Sequence, residues 1–157
     1  MLSRLLCRSA LGLVLLTVVA APASARTEGR AQLAMVWPAS GTVSAPFGEY
    51  RGSHYHAGID IGMLRTLTVR AAAPGKVRAV GYLSGYEGYG LMVTIRVLGA
   101  YDLIYAHLSR ASVEPGDIVA QGEKVGLAGC TGSCSGTHLH FELRRNGSAV
   151  NPMPYLP

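Results

Sequence analysis

Histidine is scarce in this chain, five in 157 residues, and two of the five stand one residue apart in Gly136-Thr137-His138-Leu139-His140-Phe141-Glu142. The run is β-prone, and alternate side chains of a strand share a face. His138, His140 and Glu142 therefore point one way, and Leu139, Phe141 and Leu143 point the other, into a core. Two imidazoles and a carboxylate aimed at one place can hold a metal ion or orient the groups that do. Alone, such a pair is more simply read as two surface histidines on a strand. It is not alone: His56-Ala57-Gly58-Ile59-Asp60 sets an imidazole and a carboxylate four residues apart, and Tyr105-Ala106-His107-Leu108 adds a further imidazole.

A catalytic zinc site needs three protein ligands and one open position. His56, Asp60, His107, His138 and His140 supply one ligand set with two imidazoles to spare. The helical His-Glu-x-x-His arrangement, whose glutamate is the usual base, is absent. The spare histidines are then the candidates for moving protons, since imidazole titrates close to neutral pH. Strand alternation does not decide which of His138 and His140 is the ligand. A competing set, Cys130, Cys134, His138 and His140, would make a closed structural zinc site. It leaves His56 and Asp60 without a purpose.

The elements that must position these residues are strands. Twenty glycines and eight prolines punctuate short β-branched runs, and beyond the first segment no stretch sustains a helical period, so the domain reads as all-β. Val43 to Phe47 reads as a first strand, followed by a loop over 48–55, rich in glycine and aromatic residues, that delivers His56. Thr68 to Ala72 and Lys76 to Tyr82 are expected to pair as a hairpin through Ala73-Pro74-Gly75. Ser84 to Gly90 reads as a mobile loop beside a groove. Leu91 to Leu98 and Leu103 to Ser109 form a second expected hairpin, whose return strand carries His107. The histidine strand runs to Arg145 and turns at Asn146-Gly147. Val113 to Gly129 contains Pro-Gly-Asp-x-Val-x-x-Gly, similar to a segment of lipoyl- and biotinyl-carrier folds, with a fainter echo around Gly75 to Gly81. It suggests repeated hairpins.

Taken in order, His-x-x-x-Asp, Tyr-x-His-Leu and Gly-x-His-Leu-His-Phe-Glu, with the Pro-Gly-Asp-x-Val segment between the last two, resemble the lysostaphin/LytM-type zinc endopeptidases that cut peptidoglycan peptides. The likeness covers about Trp37 to Pro157. It implies a small all-β domain of antiparallel sheet with a duplicated hybrid motif and an open groove bounded by loops. It further implies one Zn2+ per chain held by His56, Asp60 and His140, with His107 and His138 as the proton-handling pair. Some relatives carry a tyrosine upstream of the first zinc histidine that stabilises the oxyanion. Tyr50 is the closer match to that placement and Tyr55 the more distant one. Glu142 fits a partner that orients a histidine, or a solvent-facing carboxylate. His54 reads as an exposed or substrate-side imidazole. Relatives that only activate another cell-wall hydrolase usually lose zinc ligands, whereas all five key positions stand here, which favours the enzyme over the activator. A carrier domain is disfavoured because export would separate it from the enzymes that load it.

Length and composition agree with an exported single domain. Arg4 and Arg8, an apolar run from Leu11 to Ala20, and Ala23-Ser24-Ala25 read as a signal peptide over 1–25. The apolar run is shorter than the roughly 20 residues a spanning helix needs, and Cys7 precedes it, badly placed for a lipid-modified amino terminus. Residues 26–36 read as a flexible leader and 37–157 as the peptidase domain. Periplasm or extracellular space is the expected location, with peptidoglycan peptides as the partner, no stable membrane insertion and a regulator left unidentified. Removing the signal takes Lys+Arg from 14 to 12 against nine acids, so the formal charge falls from +5 to +3. The scattered basic residues suit an anionic envelope and give no basic-aromatic cluster for nucleic acid. In an oxidising compartment Cys130 and Cys134 are expected to pair, which contributes roughly 2 kcal/mol by loop-entropy reasoning. The intact mass of exported protein should correspond to a chain starting at Arg26 less two hydrogens; a mass that retains Met1, or two titratable thiols, would contradict these expectations.

Overall fold

The computed structural model describes residues 33–157. The expected signal peptide and residues 26–32 of the expected leader lie outside the described residues. The described chain is built from antiparallel strands: β1 (Thr42–Ala45), β2 (Ile59–Gly62), β3 (Thr68–Arg70), β4 (Gly75–Gly81), β5 (Leu91–Arg96), β6 (Tyr101–Ala111), β7 (Ile118–Val119), β8 (Lys124–Ala128), β9 (Leu139–Arg145) and β10 (Ser148–Val150). Among the described residues the only helical elements are two 3-10 turns, Glu87–Tyr89 and Met153–Tyr155. The all-β, antiparallel expectation is met.

The strands lie in the order β1-β2-β9-β6-β5-β4-β7, with β10 paired to β9, and β8 joining β3 to β6. β9 lies between β2 and β6, and its alternation sets the layout. Leu139, Phe141 and Leu143 enter the main core with Ile59, Ile61, Leu103 and Tyr105, all fully buried. Burial of such side chains stabilises by roughly 1.5–3 kcal/mol each. A slip of one residue would exchange the three for His138, His140 and Glu142, so register is strongly specified. The opposite face of β9 is thereby committed to the polar side chains.

Two expectations about local pairing need correction. The proposed hairpin through Ala73-Pro74-Gly75 does not form: β3 pairs with β8, whereas β4 pairs with β5 and β7. A Cβ at Gly75 would stand 2.3 Å from the Arg96 carbonyl oxygen. Glycine there lets β4 lie against β5 rather than fold back on β3. The stretch over 33–36, expected as the end of the leader, is packed. Leu33 and Met35 belong to the core cluster, and the Met35 and Val36 amides donate to the carbonyls of Tyr155 and Ala72 at 3.0 and 2.8 Å.

The other turns agree with the sequence. β5 and β6 form the expected hairpin, with Arg96 opposite Asp102. Asn146 and Gly147 take φ of 50° and 83° between β9 and β10, as a two-residue hairpin turn requires. The loop over 84–90 is secured rather than free-standing. The Ser133 amide donates to Gly88 at 2.8 Å, and a Cβ at Gly132 would stand 2.4 Å from the Gly90 nitrogen, so the two loops approach as only glycine allows.

Gly58 is the tightest point between the first metal motif and β9: a Cβ there would meet the Phe141 carbonyl oxygen at 2.3 Å and Glu142 Cγ at 2.9 Å. Gly58→Ala should therefore destabilise the domain by about 1–3 kcal/mol. Gly136→Ala, with open space at its Cβ position, should change stability by less than about 0.5 kcal/mol. Urea unfolding of both variants checks this; equal midpoints would contradict it.

Candidate active site

Asp60 and His140 are direct cross-strand partners in the β2–β9 pair. Ala106 of β6 stands opposite His140 on its other side. His56 arrives from the loop before β2. Reciprocal backbone bonds close that loop, Gly48 amide to His56 carbonyl at 2.9 Å and His56 amide to Glu49 carbonyl at 2.8 Å.

The donor atoms converge. His56 Nε2 lies 3.1 Å from Asp60 Oδ1 and 3.0 Å from His140 Nδ1, and the last two atoms are 2.8 Å apart. The far nitrogens show why this matters. His56 Nδ1 lies 2.8 Å from the Pro46 carbonyl oxygen, and His140 Nε2 lies 2.9 Å from Glu142 Oε1. Both partners are acceptors, so these nitrogens carry the protons. In the neutral rings the inward nitrogens then hold lone pairs, and three lone pairs meet at one point. Only a cation can sit there, a proton or a metal ion, and two imidazoles with one carboxylate are a fitting donor set for zinc. Among the described residues these three form the one group of side chains arranged to hold a metal. Cys130 and Cys134 lie at disulfide distance outside that group, with Cα atoms 5.3 Å apart.

Charge balance reinforces the arrangement. Burial opposes ionisation of Asp60, but hydrogen bonds with His140, His56 and Arg51 outweigh it and hold the carboxyl far below its usual range. Burial pushes the His140 imidazole down, and Asp60 and Glu142 on either side outweigh it and lift it above its ordinary value. Glu142 is fully buried, which removes the solvent-facing alternative for this carboxylate. Its Oε1 accepts from His140 and from the Tyr89 hydroxyl, and its Oε2 from Arg144 Nε at 2.7 Å. Burial raises its pKa, and these three donors together lower it below the normal value. Arg144 in turn lies over the Tyr86 ring, 5.3 Å from its centroid.

His107 and His138 are brought together, their ring centroids 4.7 Å apart. The His107 ring lies 5.8 Å from that of His140. His107 Nδ1 lies 2.8 Å from the Thr131 carbonyl oxygen, and His138 Nδ1 lies 2.7 Å from that of Gly136. Each ring therefore keeps its Nε2 free of a backbone partner; His138 Nε2 is 3.7 Å from Asp60 Oδ1. Burial chiefly holds His107 below its ordinary pKa, with the His138 and His140 charges acting in the same direction. Simple alternation from Tyr105 would have put the His107 side chain in the core. Instead the residue takes φ of 59° at a break in register: Tyr105 pairs with Val93 but Leu108 with Leu91. Tyr105 and Leu108 both stay in the main core, and the extra residue turns onto the site face, as bulges commonly do beside functional sites.

The remaining expected residues are placed less centrally. The Tyr50 hydroxyl donates to the Gly52 carbonyl of its own loop, and its ring lies 5.3 Å from that of Tyr55. A cleft of about 290 Å³ is lined by Arg51, His54, Tyr55, Tyr89 and Ser133 together with His56, His107 and His140, so Tyr55 rather than Tyr50 faces it. His54 Nδ1 lies 3.1 Å from Ser53 Oγ. Four contributors were missed from sequence: Arg51, which donates to Asp60 Oδ2 at 2.7 Å, Tyr89, Arg144, and Thr131, whose hydroxyl bridges the Leu108 carbonyl and the Leu91 amide. Arg144 could have been found, because it shares a strand face with Glu142.

An open groove on a β-sheet, floored by a His-Asp-His cluster and flanked by two further histidines, defines a metallopeptidase-like domain. The sequence pattern of peptidase family M23 matches residues 54–152, and the chain belongs to that family. It is 37% identical over 121 residues to the murein hydrolase activator NlpD of Escherichia coli, covering 77% of this chain and 31% of that protein. It is 40% identical over 117 residues to the DD-carboxypeptidase/endopeptidase Mpg of Neisseria meningitidis, covering 71% and 26%. The antimicrobial peptidase lysostaphin from Staphylococcus simulans superposes with a TM-score of 0.66 at 29% identity, over 75% of this chain and 52% of that one. The lysostaphin-like expectation is met, while the chain spans about a third or less of these two curated relatives.

Glu142→Gln removes the charge that orients His140 and balances Arg144. Zinc affinity should fall about 10- to 100-fold, measured by competition with a chromophoric chelator. Unchanged affinity would show that His140 needs no such partner.

Proposed function

We propose that this domain is an exported zinc metalloendopeptidase that hydrolyses peptide bonds in peptidoglycan stem peptides or cross-links, and that His56, Asp60 and His140 hold the ion. The observation that carries the reading is the meeting of three lone pairs close to two further imidazoles that lie against one another and keep one ring nitrogen free of a backbone partner. Bound there, zinc supplies Lewis-acid activation of water and of the scissile carbonyl. The rest belongs to the chain. His107 or His138 receives the proton of the attacking water at Nε2 and returns it to the leaving amine. The other ring, protonated, stabilises the developing oxyanion. The depressed pKa of His107 suits it to the base role, because it stays neutral at lower pH. Of the two upstream tyrosines, Tyr55 has the access to assist the oxyanion, with Tyr50 bracing its ring.

The chemistry argues against a glycosidase, which usually needs two carboxylates flanking the sugar linkage; here Glu142 is buried and fully engaged, and Asp60 belongs to the metal cluster. A periplasmic or extracellular location and a Cys130–Cys134 disulfide are part of the proposal. The pair would pin the loop that presents the Thr131 carbonyl to His107.

A second reading, an envelope module that activates another cell-wall hydrolase, is favoured by the similarity to NlpD. Digestion separates the two. Zinc-loaded protein should convert cross-linked muropeptide dimers to monomers, read by mass spectrometry, and chelation should stop it. His107→Ala and His138→Ala should keep one equivalent of zinc yet lose at least about 100-fold in rate, the usual scale of general acid-base catalysis. Unchanged dimers, with faster cleavage once a separate hydrolase is added, would support the activator.

A further inference from the structure

Arg51 is unusually placed for a residue beside a cation site. Its Nη2 donates to Asp60 Oδ2 at 2.7 Å, while Oδ1 of the same carboxylate faces the two imidazoles. Backbone bonds secure its position: the Arg51 amide donates to the His54 carbonyl at 2.8 Å, inside the loop closed by Gly48, Glu49 and His56. A guanidinium has five N–H donors in a planar fork. Among the described residues the acceptors it meets are both on Nη2, Asp60 and, at 3.5 Å, the half-exposed Glu49. Arg51 also lines the cleft on both sides of the cluster, with His54 and His107 on one side and with Ser135, Thr137 and His138 on the other.

Charge accounting then points to a missing anion. A divalent ion with Asp60, Arg51 and neutral imidazoles leaves a net charge of +2, and Glu49 offsets one unit from a solvent-exposed position. Glu142 is matched by Arg144. Among the described residues Asp60 is the only carboxylate lining the cleft, on the side of His138.

We propose that Arg51 is a specificity-determining residue that binds a free carboxylate on the substrate residue next to the scissile bond, so that the cleft selects anionic stem peptides over neutral bridges such as oligoglycine. The inference rests on the peptidoglycan-peptide reading above and narrows it. Arg51 touches Asp60 directly, so a carboxylate held by its free edge stands about one residue from the carbonyl under attack. Such a bond is charge-assisted and can be bidentate.

The test uses a stem pentapeptide ending in D-Ala-D-Ala, as the free acid and as the carboxamide, with pentaglycine amide as the neutral control. Calorimetric binding to zinc-loaded His138→Ala protein is compared with the same protein bearing Arg51→Gln or Arg51→Lys, with zinc content measured throughout. The acid should bind about tenfold tighter than the amide, the scale of a charge-assisted hydrogen bond. Arg51→Gln should abolish the preference and Arg51→Lys should keep part of it. Equal binding of acid and amide, or none by either, would overturn the proposal. So would an Arg51→Gln variant that loses zinc but keeps the acid-to-amide ratio, because Arg51 would then serve Asp60 alone. Wild-type protein that discriminates by binding yet fails to hydrolyse would instead overturn the enzyme reading and leave the carboxylate site standing.

Discussion

The structure depends on the register of one strand pair, β2 against β9. It places Asp60 directly opposite His140, and the same alternation sends Ile59, Ile61, Leu139 and Phe141 into the core. Hydrophobic burial and metal-site geometry are therefore two faces of one constraint. A polar cluster with mutually repelling lone pairs would not assemble by itself. Fully buried aliphatic and aromatic side chains below the sheet fix the strands that hold it, each contributing on the order of 1.5–3 kcal/mol.

Above that floor, each functional imidazole is oriented by an acceptor at its far nitrogen: Pro46 for His56, Thr131 for His107, Gly136 for His138 and Glu142 for His140. Three of these acceptors are backbone carbonyls. Only the one behind His140 is charged, and its charge is shared with Arg144 and Tyr89. His140 alone thus has a charged partner, while His56, His107 and His138 all keep neutral ones.

Much of the site was legible in the sequence because its chemistry is local. Strand alternation put His138, His140 and Glu142 on one face, and Asn146-Gly147 marked the turn that ends the strand. Family resemblance implies His140 rather than His138 as the ligand, and in the structure His140 converges with His56 and Asp60. What escaped was non-local. The β4–β5 pairing depends on close backbone approach at Gly75, and the positive φ of His107 depends on packing Tyr105 and Leu108 into the same core. Arg51 and Tyr89 are loop residues whose partners lie on β2 and β9, and residue type alone does not announce such bonds. The burial of Leu33 and Met35 leaves no mark in the sequence, because a short stretch without period carries no burial signal.

The central claim is that the inward atoms of His56, Asp60 and His140 hold one zinc ion and that the cysteines take no part. Zinc-edge X-ray absorption of the protein loaded with one equivalent tests it directly. The account predicts a shell of nitrogen and oxygen at about 2.0–2.2 Å with imidazole scattering and no sulfur. Sulfur scatterers at about 2.3 Å would contradict it and place the ion at Cys130 and Cys134.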